Sequence, residues 1–215
     1  MDTLFARQQM VDQQVRTWEV LDPAVLAALA AVPREAFVPA AYEALAFADA
    51  SIPIGFGQTM LAPKLQGRIL QALGIEASDA ALEIGTGTGY LCACMEQLAG
   101  SVRSMELHAE LADIARANLR AMACTANVEV RDAFDAAPLG EFNAIAVTAS
   151  LPVYDRRFEQ ALRIGGRLFV VVGVAPVMDA LLVRRMSETQ WVRESLFETV
   201  LDKLIGAPGP DGFVF

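Results

Sequence analysis

The amino-acid sequence predicts an α/β fold built on a doubly wound, mostly parallel sheet, and three observations predict it. From residue 80 onward, short apolar runs alternate with helical segments, a pattern that implies parallel strands joined by helical crossovers. The first apolar run opens directly into a turn with glycines at alternate positions, Gly85, Gly87 and Gly89. Each lacks a Cβ, so the backbone there can take positive φ or lie flat against a ligand. Two later runs, 180–186 and 191–201, are joined by Ser187-Glu188-Thr189-Gln190 and predict a C-terminal antiparallel hairpin added to the sheet.

The elements follow from local chemistry. Residues 3–19 have a helical pattern of mixed polarity. Asp22-Pro23 opens a clearer helix, with Asp as N-cap, Pro in the first turn and the apolar run 24–31 behind them; Pro33 stops it. Pro33, Pro39, Pro53, Gly55 and Gly57 make 33–62 irregular and partly extended. Pro63 starts a helix that runs to Leu73, with Gly74 as terminator. Strands are expected at 80–84, 101–106, 127–131, 142–148 and 167–172, the last entered through a turn at Gly165-Gly166. Helices are expected at 90–98, 110–122 and 155–162. A single domain over 1–215 is expected, with 1–75 as an N-terminal helical segment and 76–215 as the α/β core.

Bulk properties exclude several function classes. With 54% hydrophobic and 20% charged residues the chain is globular rather than disordered. A net charge of −9 disfavours a nucleic-acid partner, because phosphate binding needs a basic surface. The most apolar stretch, 168–183, contains Gly173, Pro176 and Asp179, and is too short and interrupted to span a bilayer. No secretory leader is expected from the first residues, so a cytoplasmic protein is expected. Cys92, Cys94 and Cys124 are odd in number and fit neither a metal site nor a disulfide framework; buried thiols in a reducing compartment are expected.

The segment Leu82-Glu83-Ile84-Gly85-Thr86-Gly87-Thr88-Gly89-Tyr90 carries the cofactor signal. Its Gly-x-Gly-x-Gly frame differs from the dinucleotide fingerprint, which grips a pyrophosphate. Glu83 places an acid near the loop, which suits a cationic cofactor without phosphates such as S-adenosylmethionine (SAM). In sheets of this kind ligands bind beyond the carboxyl ends of the strands. Glu106 closes the second strand, where an acid can accept hydrogen bonds from both ribose hydroxyls. Asp132, after the third strand, is suited to accept from an adenine amino group, and Thr148 ends the fourth strand, where the transferred methyl should point. His108, the only histidine, is expected on the rim in a structural or solvated role.

Five segments taken in order resemble the protein-L-isoaspartate O-methyltransferase family. They are Ala31-Val32-Pro33-Arg34-Glu35-Ala36-Phe37-Val38-Pro39, Ile52-Pro53-Ile54-Gly55-Phe56-Gly57-Gln58-Thr59-Met60-Leu61-Ala62-Pro63, the glycine loop, Asn143-Ala144-Ile145-Ala146-Val147-Thr148-Ala149 and Gly165-Gly166-Arg167-Leu168. The resemblance implies a Rossmann-like SAM-dependent methyltransferase that esterifies the carboxylate of isomerised aspartyl residues, with S-adenosylhomocysteine as product. It also implies site residues. Glu83, Gly85, Thr86, Gly87, Gly89, Glu106, Leu107, Asp132, Ala133 and Thr148 would hold the cofactor. Ile54, Gly57, Gln58, Thr59, Met60 and Leu61 would face the acceptor, with Thr59, Leu61 and Thr148 nearest the reaction. No metal is implied, and the partner would be a protein, a peptide or a small methyl acceptor, the enzyme acting as monomer or homodimer.

The sequence departs from the family twice. The family usually shows Gln-Thr-Ile-Ser-x-Pro in the substrate segment, with the serine hydroxyl beside the acceptor carboxylate; here Leu61 stands in its place and can neither donate nor accept a hydrogen bond. The family also tends to end near a Val-x-Phe-Val-Pro-like strand, whereas this chain reads Thr199-Val200-Leu201-Asp202-Lys203-Leu204-Ile205-Gly206 before a Pro/Gly-rich end. Both changes fall on the acceptor side. Retained isoaspartyl methylation, a divergent methyltransferase with another acceptor, and a SAM-binding protein without catalysis are the three readings this leaves.

Overall fold

The computed structural model describes residues 3–209. Its centre is a seven-stranded sheet of β3 (Ala80–Ile84), β4 (Ser101–Glu106), β5 (Asn127–Val130), β6 (Phe142–Leu151), β7 (Leu162–Val174), β8 (Val177–Arg185) and β9 (Trp191–Glu198), in the order β5-β4-β3-β6-β7-β8-β9. The first five are parallel neighbours, and β8 and β9 add antiparallel pairs. The chain winds outward from β3 through β4 to β5, then returns to β6 on the other side. The topological switch point therefore lies between β3 and β6, where a ligand is expected at the strand ends.

Alternate residues of the strands feed two hydrophobic cores. Ala81, Ala144, Ala146, Phe169, Val171 and Ala180 face one, while Leu82, Ile84, Ile145, Val147, Leu168 and Val170 face the other, as the two-residue period of a strand dictates. The first core is roofed by α2 (Pro23–Ala31), α3 (Pro63–Leu73), α4 (Tyr90–Glu96) and α5 (Ala109–Ala121). Phe158 of the short α6 (Arg156–Gln160) closes the second.

The N-terminal expectations hold in outline. α1 (Thr3–Met10) continues through a wider π turn and a 3-10 turn, and stops at Glu19, whose φ is 62°. Asp22 caps α2 through both Ala24 N and Val25 N. Residues 11–22 pack on α3. A Cβ on Gly67 would lie 2.7 Å from Val15 Cγ1, and Gln71 accepts from the N–H groups of Leu21 and Asp22 through Oε1. Gly74 ends α3 in the left-handed region at φ 49°.

Three expectations are corrected. Part of the irregular segment is a regular hairpin of β1 (Ile52–Gly55) and β2 (Gln58–Met60), turning through Phe56 and Gly57 at positive φ. Gly165-Gly166 does not begin β7 but lies within it, at a shift in the register with β6 between Ala144 and Phe142. Cys124 is half-buried rather than enclosed like Cys92 and Cys94. The Pro/Gly-rich end from residue 210 on lies outside the described residues.

Candidate active site

A cleft opens at the carboxyl ends of β3–β6, where sheets of this kind bind their ligands. Successive strands set its contents in a row. β5 leads to Asp132 and Ala133, β4 to Glu106, Leu107 and His108, β3 to Gly85 and Gly87, and β6 to Thr148 and Ala149. The β1–β2 hairpin supplies Ile54, Gln58 and Thr59, with Leu61 just beyond it.

The glycine loop takes the form its sequence requires. Gly85 has φ 93°, and a Cβ there would fall 2.4 Å from Thr148 Oγ1. Gly87 has φ 55°, and its Cβ would meet Ile54 Cδ1 at 3.0 Å, so the hairpin touches the loop directly. Glu106 is fixed at both oxygens: Gly87 N–H donates to Oε2 at 2.8 Å and His108 N–H to Oε1 at 3.1 Å. Asp132 Oδ1 accepts from Phe134 N at 2.8 Å. Thr148 Oγ1 donates to the carbonyls of Ile84 and Gly85, both at 2.9 Å, and so clamps the end of β3 to β6.

Some expected site residues stand apart from this cleft. Gly89 caps α4 and packs on α5, where a Cβ would meet Ala115 and Leu119 at 3.3 Å; its glycine is needed for helix packing. Glu83 and Thr86 lie behind the loop. Ser104 Oγ donates to Glu83 Oε2 and lies 2.5 Å from Thr86 Oγ1, and Glu83 Oε1 has no partner among the described residues. Burial, with the Glu106 charge adding, pushes the Glu83 carboxyl up to about 8. Met60 pairs with Ile52 and is buried beneath the hairpin, while Gly57 sits exposed at its tip.

The structure also brings in residues that the sequence reading missed. Asp202, Leu204 and Ile205 form a wall of the cleft. Ser150 N–H donates to Asp202 O at 2.8 Å, and Gly206 lies against Phe134 and Asp132, so residues 202–206 cross the mouth from the β6 end to the β5 end. Thr59 Oγ1 donates to Asp202 Oδ2 at 3.3 Å, joining the substrate segment to this strap. His108 is more than a rim residue. Its ring lines the cleft, stacks on Phe56 at 4.9 Å and buries Nε2 with no described partner. Arg34 is fully buried beneath the substrate segment and donates to the Leu61 carbonyl at 2.8 Å, to Gln66 and to the Ala46 carbonyl at 2.9 Å. Burial holds its pKa below the usual value, and no carboxylate faces it among its hydrogen-bond partners.

The donor set fits SAM better than a phosphate-bearing cofactor. Three carboxylates, Glu106, Asp132 and Asp202, line the cleft against one guanidinium, Arg131, whose Nη2 is turned to the carbonyls of Ala137 and Pro138. Apolar Ile84, Met105, Leu111 and Ala133 complete the walls. Among the described residues no group of three His, Cys, Asp or Glu side chains could hold a metal ion, and no helix is long and apolar enough to cross a membrane.

Comparison with known proteins agrees with this geometry. The family profile described as Protein-L-isoaspartate(D-aspartate) O-methyltransferase (PCMT) matches residues 6–201. The chain belongs to this family. A protein-L-isoaspartate O-methyltransferase of Koribacter versatilis is 38% identical over 206 residues, covering 94% of this chain and 92% of its own. Protein-L-isoaspartate O-methyltransferase 2 of Pelobacter propionicus is 37% identical over 209 residues, covering 95% and 92%. In fold the chain is similar to a Plasmodium falciparum structure described as a protein-L-isoaspartate O-methyltransferase in complex with S-adenosyl-L-homocysteine. The TM-score is 0.79 at 17% identity, over 92% of this chain and 97% of that one.

Proposed function

We propose that this chain is a SAM-dependent methyltransferase that esterifies the carboxylate of isoaspartyl residues in proteins and peptides, the step that starts their repair. Residues 1–75 and 76–215 act in this reading as one catalytic unit. The observation that carries it is the convergence of the substrate hairpin and the glycine loop: Ile54 meets Gly87, and Thr59 and Leu61 share one cleft with Gly85 and Thr148. Family membership supports this acceptor class.

In this reading Glu106 holds the ribose and Asp132 the adenine, with Leu107 and Ala133 as apolar walls around the base; their shared lining of the cleft supports it. When bound, SAM supplies an electrophilic methyl on a cationic sulfur, which leaves on an acceptor oxygen while the S–C electron pair returns to sulfur. A carboxylate is already an anionic nucleophile at neutral pH, so the chain needs no general base. Its task is alignment and exclusion of water. Thr148 fixes the loop, and Gln58, Thr59 and Leu61 wall the acceptor approach. A different acceptor is the second reading, favoured by the buried and apolar Leu61, 7% exposed, where the family places a hydroxyl.

The test is methyl transfer from labelled SAM to an isoaspartyl peptide beside its normal-aspartyl twin. Base-labile label on the isoaspartyl peptide alone is expected. Label that appears only with small molecules from a cell extract would move the chain to the second reading, and SAM binding with no transfer would make it a binding protein. Glu106→Gln should weaken SAM binding about tenfold, because charge-assisted bonds are the stronger kind.

A further inference from the structure

Asp202 is a charged group at the acceptor end of the cleft, and the reaction chemistry does not use it. Its backbone is pinned to the end of β6, where Ser150 N–H donates to Asp202 O at 2.8 Å and Ser150 Oγ donates to Leu201 O at 3.0 Å. β6 carries Thr148 near its carboxyl end, so Asp202 stands at the opposite end of the row from Asp132 after β5. Its side chain is exposed to the cleft and accepts from Thr59 of the substrate hairpin. Among the described residues Asp202 makes no ion pair, with the neighbouring Lys203 or any other cation. The nearby position 61, where a hydroxyl would soften the environment, is leucine.

A carboxylate acceptor that enters here meets a fixed carboxylate. Like charges a few ångströms apart repel, and a cation between or beside them removes the penalty. We infer that Asp202 sets acceptor specificity, favouring isoaspartyl residues with a cationic neighbour, a lysine, an arginine or a free α-amine, and disfavouring those flanked by acids. This rests on the carboxyl-methylation reading above.

The experiment uses three isoaspartyl peptides that differ only in the flanking residue: Lys, Gln or Glu. With the full chain and labelled SAM, kcat/KM is expected to fall from Lys to Gln to Glu, each step about two- to fivefold, as for a partly exposed charge pair. High salt should narrow the series. Asp202→Asn, which keeps an acceptor for Thr59, should level it. A flat series in the parent overturns the inference while leaving isoaspartyl methylation standing. A series equally steep in Asp202→Asn also overturns it. So does an Asp202→Asn variant that keeps the slope but loses SAM affinity by calorimetry, which assigns the carboxylate to the cofactor. No label on any peptide removes the carboxyl-methylation reading itself, and the inference goes with it. If Asp202→Asn does not fold, Asp202→Ser carries the same comparison, and a slope it keeps overturns the inference.

Discussion

Leu61 is buried and apolar at the point where the family carries a serine, and its carbonyl is held by the buried Arg34. The backbone of the substrate segment is thus anchored independently of the side chain at 61. Leu61→Ser is therefore expected to restore a hydrogen-bonding group without moving the segment. The predicted outcome is a several-fold higher kcat/KM on an isoaspartyl peptide, together with a lower melting temperature from the vacated apolar volume, about 2–3 kcal/mol in stability. Unchanged kinetics would clear Leu61 of any deficit. Residue by residue, the sequence revealed the acids Glu106 and Asp132, because an acid directly after an apolar run falls at the carboxyl end of a strand, where sheets of this kind hold their ligands. Glu83 is buried against Ser104, a placement that the sequence pattern does not reveal. His108 carried only the faint signal of following Glu106 by two residues.

At the scale of elements, β3 and β4 fall where their apolar runs begin and end, and α3 runs between Pro63 and Gly74 as their chemistry requires. The β1–β2 hairpin was hidden by Pro53, Gly55 and Gly57, residues that break regular structure locally but here serve a tight turn over the cleft. The strap at 202–206 was illegible for a different reason. It is held over the cleft by hydrogen bonds to Ser150 and Thr59 and by Gly206 against Phe134 and Asp132, tertiary contacts with no local pattern. The glycine loop gives an element-scale prediction. Gly85→Ala adds both a left-handed strain and a Cβ 2.4 Å from Thr148 Oγ1. It should cost about 1–3 kcal/mol of stability and also weaken SAM binding in calorimetry. Gly165→Ala at φ 81° meets nothing within 4 Å, so it should cost stability through strain alone and leave SAM affinity as it was. Equal SAM affinity in both variants would contradict the role of the Gly85–Thr148 contact.

Across the whole molecule, the buried Glu83 ties stability to pH. Its carboxyl is raised to about 8 from an ordinary 4.5, so between those values the native state holds a proton that the unfolded chain has released. Stability from this group is full below 4.5 and falls as pH rises toward 8, by about 1.4 kcal/mol per pH unit at most. The melting temperature of the parent should therefore drop between pH 5 and 8 relative to Glu83→Gln, which carries no titrating proton; parallel curves would show that Glu83 is ionised in the native state. The same molecule-wide view explains why the cofactor was legible and the acceptor less so. The residues proposed for the cofactor lie at strand ends whose order the sequence reveals, whereas those proposed for the acceptor come from the hairpin, Arg34 and the strap, which meet only in three dimensions.

The repair activity itself is tested most directly by following the isoaspartyl fraction of an aged peptide incubated with the enzyme and SAM. This fraction is expected to fall, since a methyl ester of the isoaspartyl carboxylate closes to a succinimide that opens partly to normal aspartate. It should fall only when enzyme and SAM are both present. An isoaspartyl fraction that stays constant while SAM binding is confirmed in the same sample would contradict the assignment of this chain to isoaspartyl repair.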